Sequence, residues 1–167
     1  MDQPVKLGIL SDTHDEVEKT RAALDALRAR GARKLVHCGD VTKPVMIHLF
    51  EGWDIVFAYG NIDRDRAGLA QAVATVTGPT TIGIVGELTL NGTRVGVCHG
   101  HDEELLEAMI ESGSYDLVCH GHSHSRRDEH VDQVRIINPG ALGGRYPESR
   151  SVCILDLSSQ TAEFVYV

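Results

Sequence analysis

The chain has 167 residues, 42% of them hydrophobic, which suits one compact α/β domain with a proper core and neither a disordered nor a fibrous class. A formal net charge of −8 argues against an extended basic face for nucleic acid or membrane, but not against a phosphate substrate, because bound dications would reverse the local field. No apolar run is long enough to span a bilayer, and no basic-then-apolar leader is seen from Met1 to Val5. Cys38, Cys98 and Cys119 lie in apolar runs, as buried reduced thiols would, so a cytoplasmic setting is expected.

Six short apolar, β-branched runs recur, at 5–10, 34–38, 55–59, 95–98, 116–119 and 134–137. Each is continuous rather than alternating, as strands buried on both faces require. Asp15 and Glu18 have the spacing of a capping box, and Val17, Ala22 to Leu24 and Leu27 then follow helical spacing up to Gly31. Residues 44–51 open with a proline and predict a helix, 103–112 predict another that closes at Gly113, and the alanines of 65–76 favour a third. Asn91-Gly92 between 87–90 and 93–98 predicts a hairpin with a two-residue type I′ turn. The tail, 151–157 and 161–167, predicts a further antiparallel pair, which makes a mixed, layered α/β domain.

The residues directly after each strand carry the chemistry. The first run leads into Ser11, Asp12, Thr13 and His14, the second into Gly39 and Asp40, the third into Gly60, Asn61, Ile62 and Asp63. The hairpin strand leads into His99, Gly100 and His101, the fifth run into His120, Gly121, His122, Ser123 and His124, and the sixth into Asn138, Pro139 and Gly140. Histidine is the unusual count: of nine, five fall within the 26 residues from His99 to His124. In open α/β sheets, loops beyond the carboxyl ends of the strands converge on a binding crevice. Two carboxylates, an amide oxygen and several imidazoles are therefore expected to meet there. That set suits Mn²⁺, Fe²⁺ or Zn²⁺ and suits Ca²⁺ poorly. It holds about enough ligands for two ions sharing a carboxylate, which at roughly 3.5–4 Å separation clamp a phosphate between them.

Asp-x-His, Gly-Asp, Gly-Asn-x-Asp, His-Gly-His and Gly-His-Ser-His, in this order over essentially the whole chain, resemble the calcineurin-like metallophosphoesterases, and within them the small, single-domain phosphodiesterase branch. The resemblance implies an α/β fold, a two-sheet mixed β sandwich flanked by helices, in one domain over 1–167. It implies that Asp12, His14 and His124 hold one metal, that Asn61, His99 and His122 hold a second, and that Asp40 bridges them. Two divalent ions are expected, Mn²⁺ foremost, with iron, zinc or nickel as alternatives. Metal-bridged hydroxide would attack a small phosphodiester, and the likeness also suggests a homo-oligomer. A phosphomonoesterase would use the same ligands. Other family members, including the phosphoesterase-like subunit of retromer, look like protein-binding scaffolds that tend to have lost ligands, whereas all seven positions here hold residues able to coordinate.

One departure matters. Many larger members have a histidine directly after the motif asparagine, and the small branch often has cysteine; here Ile62 stands there and cannot transfer a proton. His101 is therefore the candidate to protonate the leaving oxygen. Asp63 is the candidate to orient a ligand by hydrogen bonding, with a simple turn role as the alternative. His120 is read as packing or ligand support, His37 as a satisfied core histidine, and His48 and His130 as surface or helix residues. Arg64, Arg66, Arg126, Arg127 and Arg145 lie in or near these loops, where a guanidinium can grip a phosphate oxygen, with solvated loop residues as the alternative for each. Specificity is expected from loops 64–78 and 125–132, and Asn138-Pro139-Gly140 is read as structural support.

Overall fold

Two mixed β-sheets face each other across a layer of side chains, and helices cover their outer faces. The computed structural model describes residues 5–145 and 150–167, so Met1 to Pro4, on which the expectation about a leader mostly rests, lie outside the described residues. The first sheet contains β1 (Lys6–Leu10), β2 (Lys34–His37), β3 (Asp54–Ala58), β4 (Thr80–Gly83), β10 (Ser151–Asp156) and β11 (Thr161–Tyr166), in the order β11-β10-β1-β2-β3-β4. The second contains β5 (Gly86–Leu90), β6 (Thr93–Val97), β7 (Leu117–Cys119), β8 (Arg127–Val131) and β9 (Val134–Asn138), in the order β5-β6-β7-β9-β8. β1 through β4 are parallel, as are β6, β7 and β9, so in each sheet several carboxyl ends point the same way.

The continuous apolar runs are explained by burial on both faces. Leu7, Ile9, Val36, Cys38 and Val56 point between the sheets and meet Val95, Val97, Leu117, Cys119 and Ile137. Leu10, Leu35, Ile55 and Phe57 point outward, under Leu24 and Leu27 of α1 (Val17–Ala29), Ile47 and Phe50 of a 3₁₀ helix (Pro44–Phe50), and Leu69 and Val73 of α2 (Arg66–Thr75). Met109 of α3 (Glu103–Glu111) covers Val118, Val134 and Ile136 on the far side of the second sheet. The four cysteines are free and buried. No helix among the described residues is long and apolar enough to cross a membrane.

The expected hairpin forms, with Asn91 and Gly92 both at positive φ (51° and 79°), as a type I′ turn requires. Three expectations are corrected. Residues 44–50 wind as a 3₁₀ helix of seven residues, longer than such helices usually run, with Pro44 at its start. The capping box is not made: Glu16 occupies the N-cap without a side-chain bond, and the Asp15 carboxylate turns to Thr42 and Lys43 instead. The two expected specificity loops are largely regular structure, since α2 fills most of one and β8 the other. β8 is an exposed edge strand of charged residues, held by the Arg135–Asp128 ion pair across to β9, and its composition hides it.

His37 occupies the core as expected, with its ring against Phe50 and Phe57. Its Nδ1 accepts from Gly39 N–H (3.1 Å), so Nε2 carries the proton and donates to Thr13 Oγ1 (3.2 Å). Burial pushes its pKa down from 6.5 to about 3. Between those values the unfolded chain binds a proton that the folded chain refuses. Folding stability therefore falls as pH falls through this window, by about 1.4 kcal/mol per pH unit for one proton. Urea unfolding of wild type and His37→Asn across that range is expected to give a slope about one proton shallower in the variant; identical slopes would remove His37 from the acid response.

Candidate metal centre

The carboxyl ends of β1, β2 and β3 and those of β6 and β7 meet along one edge of the sandwich. Cross-links between the loops set their spacing. Asp12 N–H donates to Gly39 O (2.9 Å), His14 N–H to Asp40 O (3.1 Å) and Gly143 N–H to Asp12 O (2.8 Å). Five of the seven candidate ligands have positive φ: Asp12 (54°), His14 (44°), Asp40 (61°), His122 (67°) and His124 (58°). Non-glycine residues rarely take this conformation, and strain of this kind collects at functional sites.

Each carboxylate has one oxygen tied to the protein and one turned inward. Asp12 Oδ2 accepts from Ser11 Oγ (2.5 Å) and His122 N–H (3.1 Å), while Oδ1 faces Nε2 of His124 (3.1 Å), His14 (3.4 Å) and His99 (4.0 Å). Asp40 Oδ1 accepts from Ile62 N–H (3.1 Å), while Oδ2 faces Nε2 of His99 (3.2 Å) and His14 (3.6 Å). Ile62 thus contributes a backbone N–H to the site and no side-chain chemistry. The inward atoms form two groups, Asp12 with His14 and His124, and Asp12 with Asp40 and His99, so Asp12 is common to both. Asn61 Oδ1 lies 2.9 Å from His99 Nε2. The His122 ring lies 5.1 Å from that of His99, and the exposed His101 ring 5.5 Å from it, on the rim.

This arrangement fits a bound cation. His99 donates from Nδ1 to Cys38 O (2.7 Å), so in the neutral ring Nε2 carries no proton and aims its lone pair at oxygens of Asn61 and Asp40 that can only accept. His14 Nε2 is buried with no hydrogen-bond partner. Burial works against charge on His99, yet Asp40 and Asp12 raise its pKa, and the Asp12 carboxylate 3.4 Å away raises that of His14. Burial would likewise raise Asp12, but His124 and His14 reverse this and hold it far below the usual carboxylate range. A cluster that draws protons onto His14 and His99 in this way offers the same lone pairs to a divalent ion, whereas burial lowers the pKa of His122.

Support comes from residues behind the cluster. The buried Asp63 carboxylate accepts N–H groups from Asp40 (2.9 Å), Gly60 (2.6 Å) and Thr42 (2.7 Å), so it ties the β2 and β3 loops together and faces no imidazole. His120 donates to Gly121 O (3.1 Å) and accepts from Arg127 (3.3 Å), and Asn138 donates to Gly121 O and Ser123 Oγ (both 3.0 Å). The roles of Ser11, the Cys38 carbonyl and Arg127 escape sequence reading. Ser11 is the residue before Asp12, and that position is its only signal. Of the other arginines, Arg126 lies over Tyr166, Arg66 lies over Tyr59, and Arg64 and Arg145 are exposed.

Gly121 admits no side chain, because a Cβ there would strike Ser11 Oγ and lie 2.5 Å from Asp12 Oδ2. Gly121→Ala is expected to lower stability by about 1–3 kcal/mol through overpacking. It is also expected to weaken metal affinity by about 10–100-fold through the displaced Asp12. Thermal melts and metal titration check both; an unchanged affinity would mean that Asp12 is not held from this side.

Fold and site together define a metal-dependent phosphoesterase. The model of the calcineurin-like phosphoesterase superfamily domain matches residues 5–160, and the chain belongs to that family. The chain is 34% identical over 154 residues to the phosphodiesterase MJ0936 of Methanocaldococcus jannaschii, covering 91% of this chain and 93% of that one. It superposes on a solved archaeal phosphodiesterase with a TM-score of 0.90 at 32% identity, over 98% of this chain and 100% of the other. Zinc-complexed Vps29 of Entamoeba histolytica shares the fold at a TM-score of 0.70 and 15% identity, over 96% and 98% of the two chains.

Proposed function

We propose that the protein is a phosphodiesterase that hydrolyses a small phosphodiester at a two-metal centre, with Mn²⁺ as the foremost metal, in the cytoplasm. The observation that carries this reading is the convergence of Nε2 atoms from His14, His99 and His124 on one oxygen each of Asp12 and Asp40. Asp12, His14 and His124 would hold one ion, and Asp40, His99, Asn61 and His122 the other, with the common position of Asp12 adding a second shared carboxylate beside Asp40. What divalent ions contribute at such a ligand set is Lewis acidity, which polarises the phosphoryl oxygens and makes water nucleophilic at neutral pH.

The remaining work belongs to the chain. Ser11, Ile62 and Cys38 hold the carboxylates and His99 in one orientation, so little rearrangement is needed as charge develops. His101, on the rim, is the proposed donor of the proton to the leaving oxygen, and Asp63 positions the Asp40 loop without touching substrate. The likeness to a phosphodiesterase at 34% identity favours diesters over monoesters.

Protein stripped by chelation is expected to show no turnover of bis(4-nitrophenyl) phosphate and to regain it on addition of Mn²⁺, with 4-nitrophenyl phosphate turned over more slowly. Faster monoester turnover would reassign it as a phosphomonoesterase. The absence of metal-stimulated turnover with either substrate would favour the protein-binding scaffold that the sequence resemblance offers as the alternative.

A further inference from the structure

On the His99 side of the cluster, a cavity of about 210 Å³ lies among Tyr59 after β3, Arg66 at the start of α2, Ile84 between β4 and β5, His101, and Leu105 in α3. His99 is part of its lining, so the cavity is continuous with the candidate ligand cluster. It is smaller than the ~300–1,000 Å³ that encloses a whole small molecule, so it suits one substituent of a substrate. Ile84 is 57% exposed, one of five large hydrophobic side chains left in solvent among the described residues. The Arg66 guanidinium lies 5.0 Å from the centroid of the Tyr59 ring, and Tyr59 Oη donates to Arg66 O (3.2 Å), which fixes the stack. Arg66 makes no ion pair among the described residues. The one acid in the lining, Asp102, is engaged in capping α3 through Leu105 N–H (3.0 Å).

We propose that this cavity seats a planar aromatic ester arm of the phosphodiester, a nucleobase or a simple aryl group, while its phosphorus lies at the ligand cluster. This rests on the phosphodiesterase reading above. A guanidinium stacked on tyrosine presents its other face and edge to a flat π-system. Ile84 and Leu105 supply the apolar side walls that such a ring covers. A methyl arm would leave Ile84 in water and the guanidinium face unused.

The test uses Mn²⁺-loaded protein and three non-hydrolysable probes, methylphosphinates in which a CH2 group replaces the ester oxygen of a methyl, phenyl or thymidine-5′ arm, with dissociation constants from calorimetry. At least one aromatic probe is expected to bind about tenfold more tightly than the methyl-arm probe, the scale of a single base–aromatic stack. That preference is expected to collapse in Ile84→Ser and Arg66→Ser, both exposed positions, with circular dichroism and manganese content confirming intact protein. The tighter of the two aromatic probes identifies a nucleobase or a plain aryl arm. Equal binding of all three to wild type, or a preference that survives both substitutions, overturns the pocket alone. Failure of all three to bind overturns the pocket together with the phosphodiesterase reading.

Discussion

Replacing Asp40 with alanine is expected to lower metal-supported diester hydrolysis by about 10³-fold. Asp40 is buried, and its Oδ2 stands opposite Nε2 of both His99 and His14. Its loss removes a negative charge from between the two imidazoles. It also forfeits part of the several kcal/mol that bound ions supply to the transition state, at about tenfold in rate for each 1.4 kcal/mol. Asp40→Asn keeps an acceptor for Ile62 N–H but not the charge, so it should fold like wild type and still lose activity. Rates for both variants are to be read beside bound metal per chain. Full activity in either would sink the two-metal reading, and full metal content with lost activity would move Asp40 from ligand to another role.

Asp63→Ala is expected to cost at least about 3 kcal/mol of stability, because three backbone N–H groups lose their buried acceptor. For a chain of this length that corresponds to a melting point lower by about 6–12 °C. Metal affinity should fall by about 10–100-fold as the Asp40 loop slackens, and activity should return toward normal at saturating metal. Asp63→Asn retains one acceptor oxygen and should fall between. A direct acid–base role would give another pattern, with activity lost at every metal concentration and affinity unchanged. The comparison therefore separates positioning from proton transfer.

Strand–turn punctuation makes most of the site legible in the sequence. Asp12, Asp40, Asn61, His99 and His122 each come after a continuous apolar run, and parallel strands bring such ends together whatever the details of the helices. The same logic recovers the between-sheet core, because residues buried on both faces need no alternation. Strands β4 and β8 are not legible. Both lie at sheet edges, and β8 takes its order from a partner strand rather than from its own charged residues. Asp15 shows another limit: its spacing to Glu18 suits a cap, but Thr42 and Lys43, far along the chain, compete for its carboxylate. Asp63 reads equally as a turn or as ligand support because its three partners are backbone groups of distant loops, which no side-chain motif records.

The candidate ligands come from both sheets: Asp12, His14, Asp40 and Asn61 from the first, His99, His122 and His124 from the second. Elsewhere the two layers are joined largely by non-directional apolar packing, which tolerates sliding. Ions held at this edge would act as rivets through the seam, so the layers could part only by breaking coordination bonds. Thermal inactivation of loaded protein would then be all-or-none, with no molecule keeping its metals after its sheets separate. Residual activity after a heat challenge would count intact molecules directly.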